Sequence, residues 1–563
     1  MVNWESLSGS HDLVQRDMNT LLALVAAMAI SMALIPVMVR IAPRLGLMDQ
    51  PGVRKVHAVP VPRVGGVGIV VGALIPILFL LPEDNISQSY IIGTLVLFVF
   101  GLWDDIFEIG HYTKFLGQLL AVSIVIFYGD LYVITFPFIP GGEISPLLGI
   151  PFTYVAMVGM INAVNLSDGL DGLAGGESLF SLGAITLLAI LVDGVVALTI
   201  TLTVIGGVFG FLRYNTHPAR VFMGDSGSQF LGYALAYLVI LLTQSVDRDL
   251  SPAVVLLLLG LPVVDSLVVI VNRLRTRISP FKARRDHIHH RLLDLGFVHH
   301  ESVIIIYSLQ MVFVTSGVLL RYESNVLIMA VYLVLCSGIF TMLGLAERSG
   351  WKLSDRKRVD GQTTVMAHDV LKRILVIVPR RFLSIGIPIY FIGTSLIVER
   401  VPSDFAKMSL LVAGLMTLEL SFGNAPRSIM RRALIYIVAA FVGYLGISWT
   451  PIWMEFLEPS KTVFFILIAV AFAAAVKFSP RRRKTEFETT ATDYLVVFCL
   501  VAVLMVSKGN FWGSDGVMFV VQMVVIFYGC ELLIMEKRGK WSGLSAAALV
   551  TAVILALRGL LLT

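Results

Sequence analysis

The chain has 563 residues, 57% hydrophobic and only 14% charged, with a net charge of +5. Soluble domains carry about 25% charged residues, so this composition excludes a soluble enzyme and predicts an all-α polytopic integral membrane protein. The three cysteines, Cys336, Cys499 and Cys530, each fall inside an apolar stretch and form neither a disulfide framework nor a zinc pattern.

The first apolar run, 20–41, follows an N-terminus without a basic start or a small-residue cleavage site, and so reads as a retained anchor. Further runs lie at 65–82, 89–103, 115–129, 152–164, 178–192, 195–212, 227–244 and 253–271. The rest lie at 303–320, 325–345, 382–398, 408–423, 433–449, 462–478, 492–507, 515–534 and 543–562. About eighteen spans are predicted, several shorter than the ~20 residues of a full crossing. Every second loop is basic: Arg44, Arg54, Lys55 and Arg63 come first, then Arg273, Arg275, Arg277, Lys282, Arg284, Arg285 and Arg291 near 272–302. Later basic runs are 356–358, 431–432, 481–484 and 537–540, whereas the loops at 82–89 and 245–251 are neutral or acidic. The positive-inside rule therefore predicts an external N-terminus and cytoplasmic basic loops. Residues 20–345 form the predicted motif-rich membrane domain, 346–381 a basic cytoplasmic linker, and 382–563 a multi-helix extension. In the extension Glu419, Asp515 and Glu531 stand alone, which predicts interfacial or paired carboxylates.

Five polar motifs fall in alternate loops, the ones that the charge rule places in the cytoplasm. HAVPVPRVGG carries His57, Arg63, Gly65 and Gly66. GLWDDI ends the third span with Asp104 and Asp105, adjacent like charges at a helix C-terminus that an attracting cation would relieve. Lys114 and Gln118 follow one turn apart, the lysine suited to a phosphate. NAVNLSDGLDGLAGG at 162–176 holds Asn162, Asn165, Asp168 and Asp171; in a helical turn the two acids would project to one side. RYNTHPARVFMGDSGSQFLG holds Asn215, Phe222 and Asp225 just before an apolar run, which suits anion contact through backbone N–H groups. ISPFKARRDHIHHRLLDLG holds Asp286, His287, His289, His290 and Arg291. Without cysteines or zinc spacing, its basic setting points to phosphate recognition or to an anionic lipid surface. Each motif alone also reads as an ordinary cap or turn, since Asn, Asp and Gly favour both. Their shared parity argues against that reading, because chance caps would scatter over both faces.

PVPRVGG, GLWDD, NAVNLSDGLDGLAGG, RVFMGDSGSQFLG and DHIHHRLLDLG, in that order over residues 20–320, resemble the motifs of polyprenyl-phosphate N-acetylhexosamine-1-phosphate transferases. This is the superfamily of WecA, TagO and MraY, and PVPRVGG with HIHHR is more similar to the WecA and TagO branch. The resemblance implies transfer of HexNAc-1-phosphate, GlcNAc-1-phosphate in particular, from UDP-HexNAc to undecaprenyl phosphate, with UMP released and an envelope polysaccharide begun. It implies Mg²⁺, with Mn²⁺ able to substitute, at the cytoplasmic face of a bacterial inner membrane. Catalytic roles are implied for Asp104, Asp105, Asp168, Asp171 and Asp225, with Asp225, Asp104 and Asp105 holding the metal. Substrate contacts are implied for Arg63, Lys114, Asn162, Asn165, Asn215, Phe222, His287, His289, His290 and Arg291. A homodimer or envelope-biosynthesis partners, and no nucleic acid, complete the expected associations. Two other readings stand beside it: a transporter, from the helix number, and a non-catalytic assembly protein that keeps the motifs. The polar residues gather at helix ends of the first half, against the first; all five acids are present, against the second.

Overall fold

A computed structural model describes residues 4–51, 59–137, 139, 142–277, 286–352, 365–421, 428–449, 458–477, 513–536 and 542–561. Arg54, Lys55, His57, the loop residues Lys282, Arg284 and Arg285, the basic runs at 356–358, 481–484 and 537–540, and the predicted span 492–507 with Cys499 lie outside them. The chain clusters into two compact units, one of residues 26–357 with 490–497, the other of 1–25, 358–489 and 498–563.

Among its described residues the motif-bearing unit is helical, with one short antiparallel sheet of β1 (Met48–Asp49) and β2 (Val61–Pro62). Its helices are α1 from residue 26 (Trp4–Leu45 in all, apolar from Leu22), α2 (Gly65–Leu80), α3 (Asn85–Phe107), α4 (His111–Ser123), α5 (Pro146–Ser167) and α6 (Leu173–Leu191). Next come α7 (Val195–Asn215), α8 (Asp225–Leu241), α9 (Val254–Arg275), α10 (Ile288–Asp294), α11 (His299–Leu319) and α12 (Asn325–Arg348). Among the described residues of the whole chain, ten helices are long and apolar enough to cross a membrane. Two predicted spans fall short as helices: α2 has 16 residues, and α4 stops at 13 and passes into a π-helical turn, Ile124–Tyr128. Helices α6, α7 and α8 are mostly apolar and almost wholly enclosed, with 89% of the apolar stretch of each buried, so they form the centre of this unit. Only 22% of the α12 span is buried, the signature of a lipid-facing helix.

Helix α9 breaks at Gly260, where φ is +31°, two residues before Pro262. A break within hydrocarbon must have its backbone groups satisfied by protein. Here Gln310 of α11 accepts from the Leu261 N–H at 2.9 Å and donates to Ser181 Oγ at 2.9 Å.

The second unit contains α13 (Val365–Ile397), α14 (Ser403–Ser421), α15 (Ser428–Ser448), α16 (Glu458–Lys477), α17 (Gly513–Glu536) and α18 (Gly543–Leu561). Among the described residues its buried carboxylates, Glu419 and Glu531, are paired, because an ion taken out of water without a partner bears a desolvation cost of several kcal/mol. Arg431 donates twice to Glu419, at 2.7 and 3.2 Å, while Glu531 takes Arg432 at 3.2 Å and the Tyr436 hydroxyl at 2.6 Å. Arg558 caps the C-terminal end of α13 by donating to the carbonyls of Ser395, Leu396 and Val398.

Candidate active site

The site is built where helix ends of the first unit meet. Asp105, 4% exposed near the end of α3, accepts from the N–H of Asp225 at 2.7 Å, the N–H of Ser226 at 3.1 Å and Ser226 Oγ at 2.7 Å. An acid that opposes its own helix dipole is thus stabilised by the positive end of another helix. The N–H groups that sequence reasoning offered to an external anion are therefore engaged by an internal one. Gly224 precedes them with φ +76° and ψ 173°, and a Cβ there would come within 2.7 Å of the Asp105 carboxylate. Only glycine suits such a position. The PVPRVGG segment is laced to the same turn: Phe222 N–H donates to Pro62 O, Gly65 N–H to Phe222 O and Gly66 N–H to Met223 O, at 2.8, 2.9 and 2.7 Å. Arg63 lies alongside, paired with Asp49 and 3.6 Å from Glu108.

Asp104, the neighbour of Asp105 on α3, faces Lys114. The ammonium stands 2.5 Å from Asp104 Oδ2 and 2.8 Å from Asp225 Oδ2, one cation shared by two carboxylates. Asn165 donates to Asp225 Oδ1 and, at 2.8 Å, to Ser228 Oγ. Asp104 Oδ1 is buried without a hydrogen-bond donor among the described residues. One turn beyond Lys114, Gln118 accepts from Asn162 at 2.8 Å and donates to Gln229 at 3.1 Å, pinning α4 to α5 and α8. Asn162 is a strut of this amide chain.

Asp168 and Asp171 occupy a non-helical turn between α5 and α6, so the shared helical face predicted for them does not form. Asp168 is half-buried; burial, then the charges of Asp225, Asp171 and Asp105, push its carboxyl up to about 7. Burial acts the same way on Asp171, but hydrogen bonds from His217 Nδ1 at 2.7 Å and the Ala219 N–H at 3.0 Å outweigh it and hold that carboxyl below the usual range. Asn215 is a second strut: it accepts from the Gly172 N–H and donates to Val221 O, both at 2.8 Å. Tyr307 donates to Gly172 O at 2.7 Å. Phe222 is partly exposed beside this turn's partner loop.

The histidine motif is hung from α9. Asp265 accepts from His287 Nδ1 at 2.8 Å and from the Ile288 N–H at 3.0 Å, while Arg273 donates twice to Asp286, at 3.0 and 2.7 Å. His289 packs on the acidic turn so closely that a Cβ at Gly169 would run into its ring, and His290 lies 4.2 Å from His289. Arg291 turns the other way, to Glu347 of α12 at 2.7 and 2.9 Å, and is not brought to the carboxylates.

The fold therefore gathers Asp104, Asp105, Asp225, Lys114 and Asn165, with Asp168 and Asp171 on the adjoining turn and His289 of α10 packed against it. Sequence reasoning missed Asp265, His217, His299 and Gln229. For Asp265 a signal existed, a lone acid inside the apolar run GLPVVDSLVV next to a Gly-Pro break.

Residues 87–243, which carry three of the five motifs, match the family model "Glycosyl transferase family 4". A probable undecaprenyl-phosphate N-acetylglucosaminyl 1-phosphate transferase of Bacillus subtilis is 33% identical over 340 residues, 60% of this chain and 94% of that protein. The undecaprenyl-phosphate alpha-N-acetylglucosaminyl 1-phosphate transferase of Escherichia coli O157:H7 is 30% identical over 56% of this chain and 87% of its own length. A decaprenyl-phosphate N-acetylglucosaminephosphotransferase of Mycobacterium tuberculosis is 32% identical over 47% and 74%. With these carboxylates gathered by the fold and most of such a relative's length matched, the chain belongs to glycosyl transferase family 4, within the superfamily of polyprenyl-phosphate N-acetylhexosamine-1-phosphate transferases.

Proposed function

We propose that the protein transfers HexNAc-1-phosphate, GlcNAc-1-phosphate in the first instance, from UDP-HexNAc to undecaprenyl phosphate and so starts a cell-envelope polysaccharide. The reading rests above all on the Asp104–Lys114–Asp225 group, three charged side chains from three helices converging at hydrogen-bond distance. The relatives' names supply the polyprenyl phosphate and the GlcNAc-1-phosphate.

In the reaction an oxygen of the lipid phosphate bonds to the sugar-bearing phosphorus, the bond to the bridging oxygen breaks, and UMP leaves with that electron pair. The attacking group is a phosphate monoester with a second pKa of about 6, so it is largely ionised at neutral pH and needs little base catalysis. The larger task is bringing one anion to another. Lys114 meets phosphate charge, Asp104 orients the acceptor or takes its remaining proton, and Asn165 holds Asp225 in place. Asp105 keeps the start of α8 in register. Asp168 and Asp171 serve the nucleotide end, with Phe222 beside the base, and His289 and His290 contact phosphate or sugar. The oxygen donors of Asp104 and Asp225, with Asp104 Oδ1 buried and unpaired, fit Mg²⁺ or Mn²⁺, which when bound screens charge and aligns an in-line displacement.

We assign this chemistry to residues 20–345 of a bacterial inner-membrane bundle of about eighteen spans, N-terminus outside, with the site on the cytoplasmic side where a soluble nucleotide sugar arrives. A transporter would open a broken helix onto an ion path, whereas the α9 break is closed by Gln310. The test is incubation of the purified protein with UDP-[¹⁴C]GlcNAc, undecaprenyl phosphate and Mg²⁺. Labelled lipid and equimolar UMP are expected; uptake of the nucleotide sugar into vesicles without label transfer would overturn the reading.

A further inference from the structure

Asp171, His217 and His299 come from three separate segments: the turn after α5, the loop between α7 and α8, and the first residue of α11. One carboxylate oxygen and one nitrogen of each ring lie within 4.8 Å of one another. His217 Nδ1 stands 2.7 Å from Asp171 Oδ2, and the two imidazoles stack with centroids 4.1 Å apart. The Asp171 N–H donates to His299 Nε2 at 3.0 Å, so this is the unprotonated nitrogen of its ring, and an ion bound there replaces that N–H. All three residues are partly exposed, which leaves an ion a way in.

Two imidazoles and one carboxylate are the donors of a zinc-class ion, which takes nitrogen and oxygen at about 2.0–2.2 Å and accepts three protein ligands plus water. Mg²⁺ prefers oxygen alone. The Ala219 N–H on Asp171 Oδ2 supplies the outer hydrogen bond that orients a ligating carboxylate. The carboxylates of Asp104 and Asp225, by contrast, have an ammonium and an amide for neighbours. The two groups therefore differ in chemical class.

We propose that Asp171, His217 and His299 form a second cation site, selective for a zinc-class divalent ion over magnesium. Binding ties the acidic turn to the loop before α8 and to α11. The site shares Asp171 with the nucleotide end but involves neither Asp104 nor Asp225, and its binding test reads no transferase activity, so failure of this proposal and failure of the transfer reading are distinguishable.

The experiment is titration of metal-free full-length protein, purified through a tag without histidines, with Co²⁺ and then Zn²⁺. One equivalent of Co²⁺ should give visible absorption of a four- or five-coordinate ion, removed by Zn²⁺ but not by millimolar Mg²⁺. His217→Ala and His299→Ala should each weaken Zn²⁺ binding at least ~10-fold, while His300→Ala keeps it. X-ray absorption of the one-to-one Zn²⁺ complex of the unaltered protein should count two imidazoles, a readout that needs no variant to fold. Equal affinity in all three variants, or a count other than two, overturns the proposal.

Discussion

Replacing Asp265 by alanine removes one acceptor from two donors at once, His287 Nδ1 at 2.8 Å and the Ile288 N–H at 3.0 Å. Asp265 is 7% exposed and His287 4%, so neither donor is readily compensated by water. A buried donor left unsatisfied costs about 1–3 kcal/mol, which puts the loss at roughly 2–6 kcal/mol. The loss is local, because α10 is a seven-residue helix whose docking on α9 depends on this acid and on the Arg273–Asp286 pair. Release of residues 286–294 is therefore the expected response, ahead of global unfolding. Amide hydrogen exchange in that segment should accelerate by at least ~30-fold, the equivalent of about 2 kcal/mol. As His289 leaves Gly169, KM for the nucleotide sugar should rise more than kcat falls. Asp265→Asn keeps an acceptor for the Ile288 N–H and can donate to the other tautomer of His287, so it should sit between the two. Unchanged exchange at 286–294 in Asp265→Ala would refute the reasoning, as would an asparagine variant no better than alanine.

Asp225→Ala removes the carboxylate that shares Lys114 with Asp104, and should lower transfer at least ~10²-fold and weaken Mn²⁺ binding measured by electron paramagnetic resonance. Near-normal Mg²⁺-dependent turnover would contradict it. Asp168 titrates near 7, above the ordinary aspartate range, so the folded state holds its proton more tightly than the unfolded chain. The resulting stabilisation is complete below the unfolded pKa and is lost as pH rises through about 7. Unaltered protein should therefore lose thermal stability between pH 5 and roughly 7 relative to Asp168→Asn, as scanning calorimetry at several pH values would show. In the second unit, Arg431→Ala leaves Glu419 buried and unpaired and should cost about 3–5 kcal/mol; the double replacement Arg431→Met with Glu419→Leu should recover most of it in denaturant melts.

The class of this protein and the identity of its motifs were legible in the residues themselves. Long apolar runs leave no alternative to helices in hydrocarbon, and acids clustered with glycines at the ends of such runs are too costly to be incidental. Division of labour within a motif was not legible. Asp104 and Asp105 are indistinguishable as letters, yet neighbours on a helix point about 100° apart, so packing of α3 on α8 sends one to a helix N-terminus and the other to Lys114. Asn162 and Asn215 read as ligand contacts and are struts, because their amides meet partner groups supplied by distant segments. Arg273 and Arg291 share one basic loop region, but only the placement of α9 and α12 decides that one meets Asp286 and the other Glu347. Composition and local pattern determined the solvent, the helices and the chemical inventory, since these follow from transfer free energies that each residue carries alone. Tertiary structure decided the pairings, including Asp265 with His287 and Asp171 with His217 and His299, because a hydrogen bond acts over about 3 Å whatever distance in sequence separates its ends.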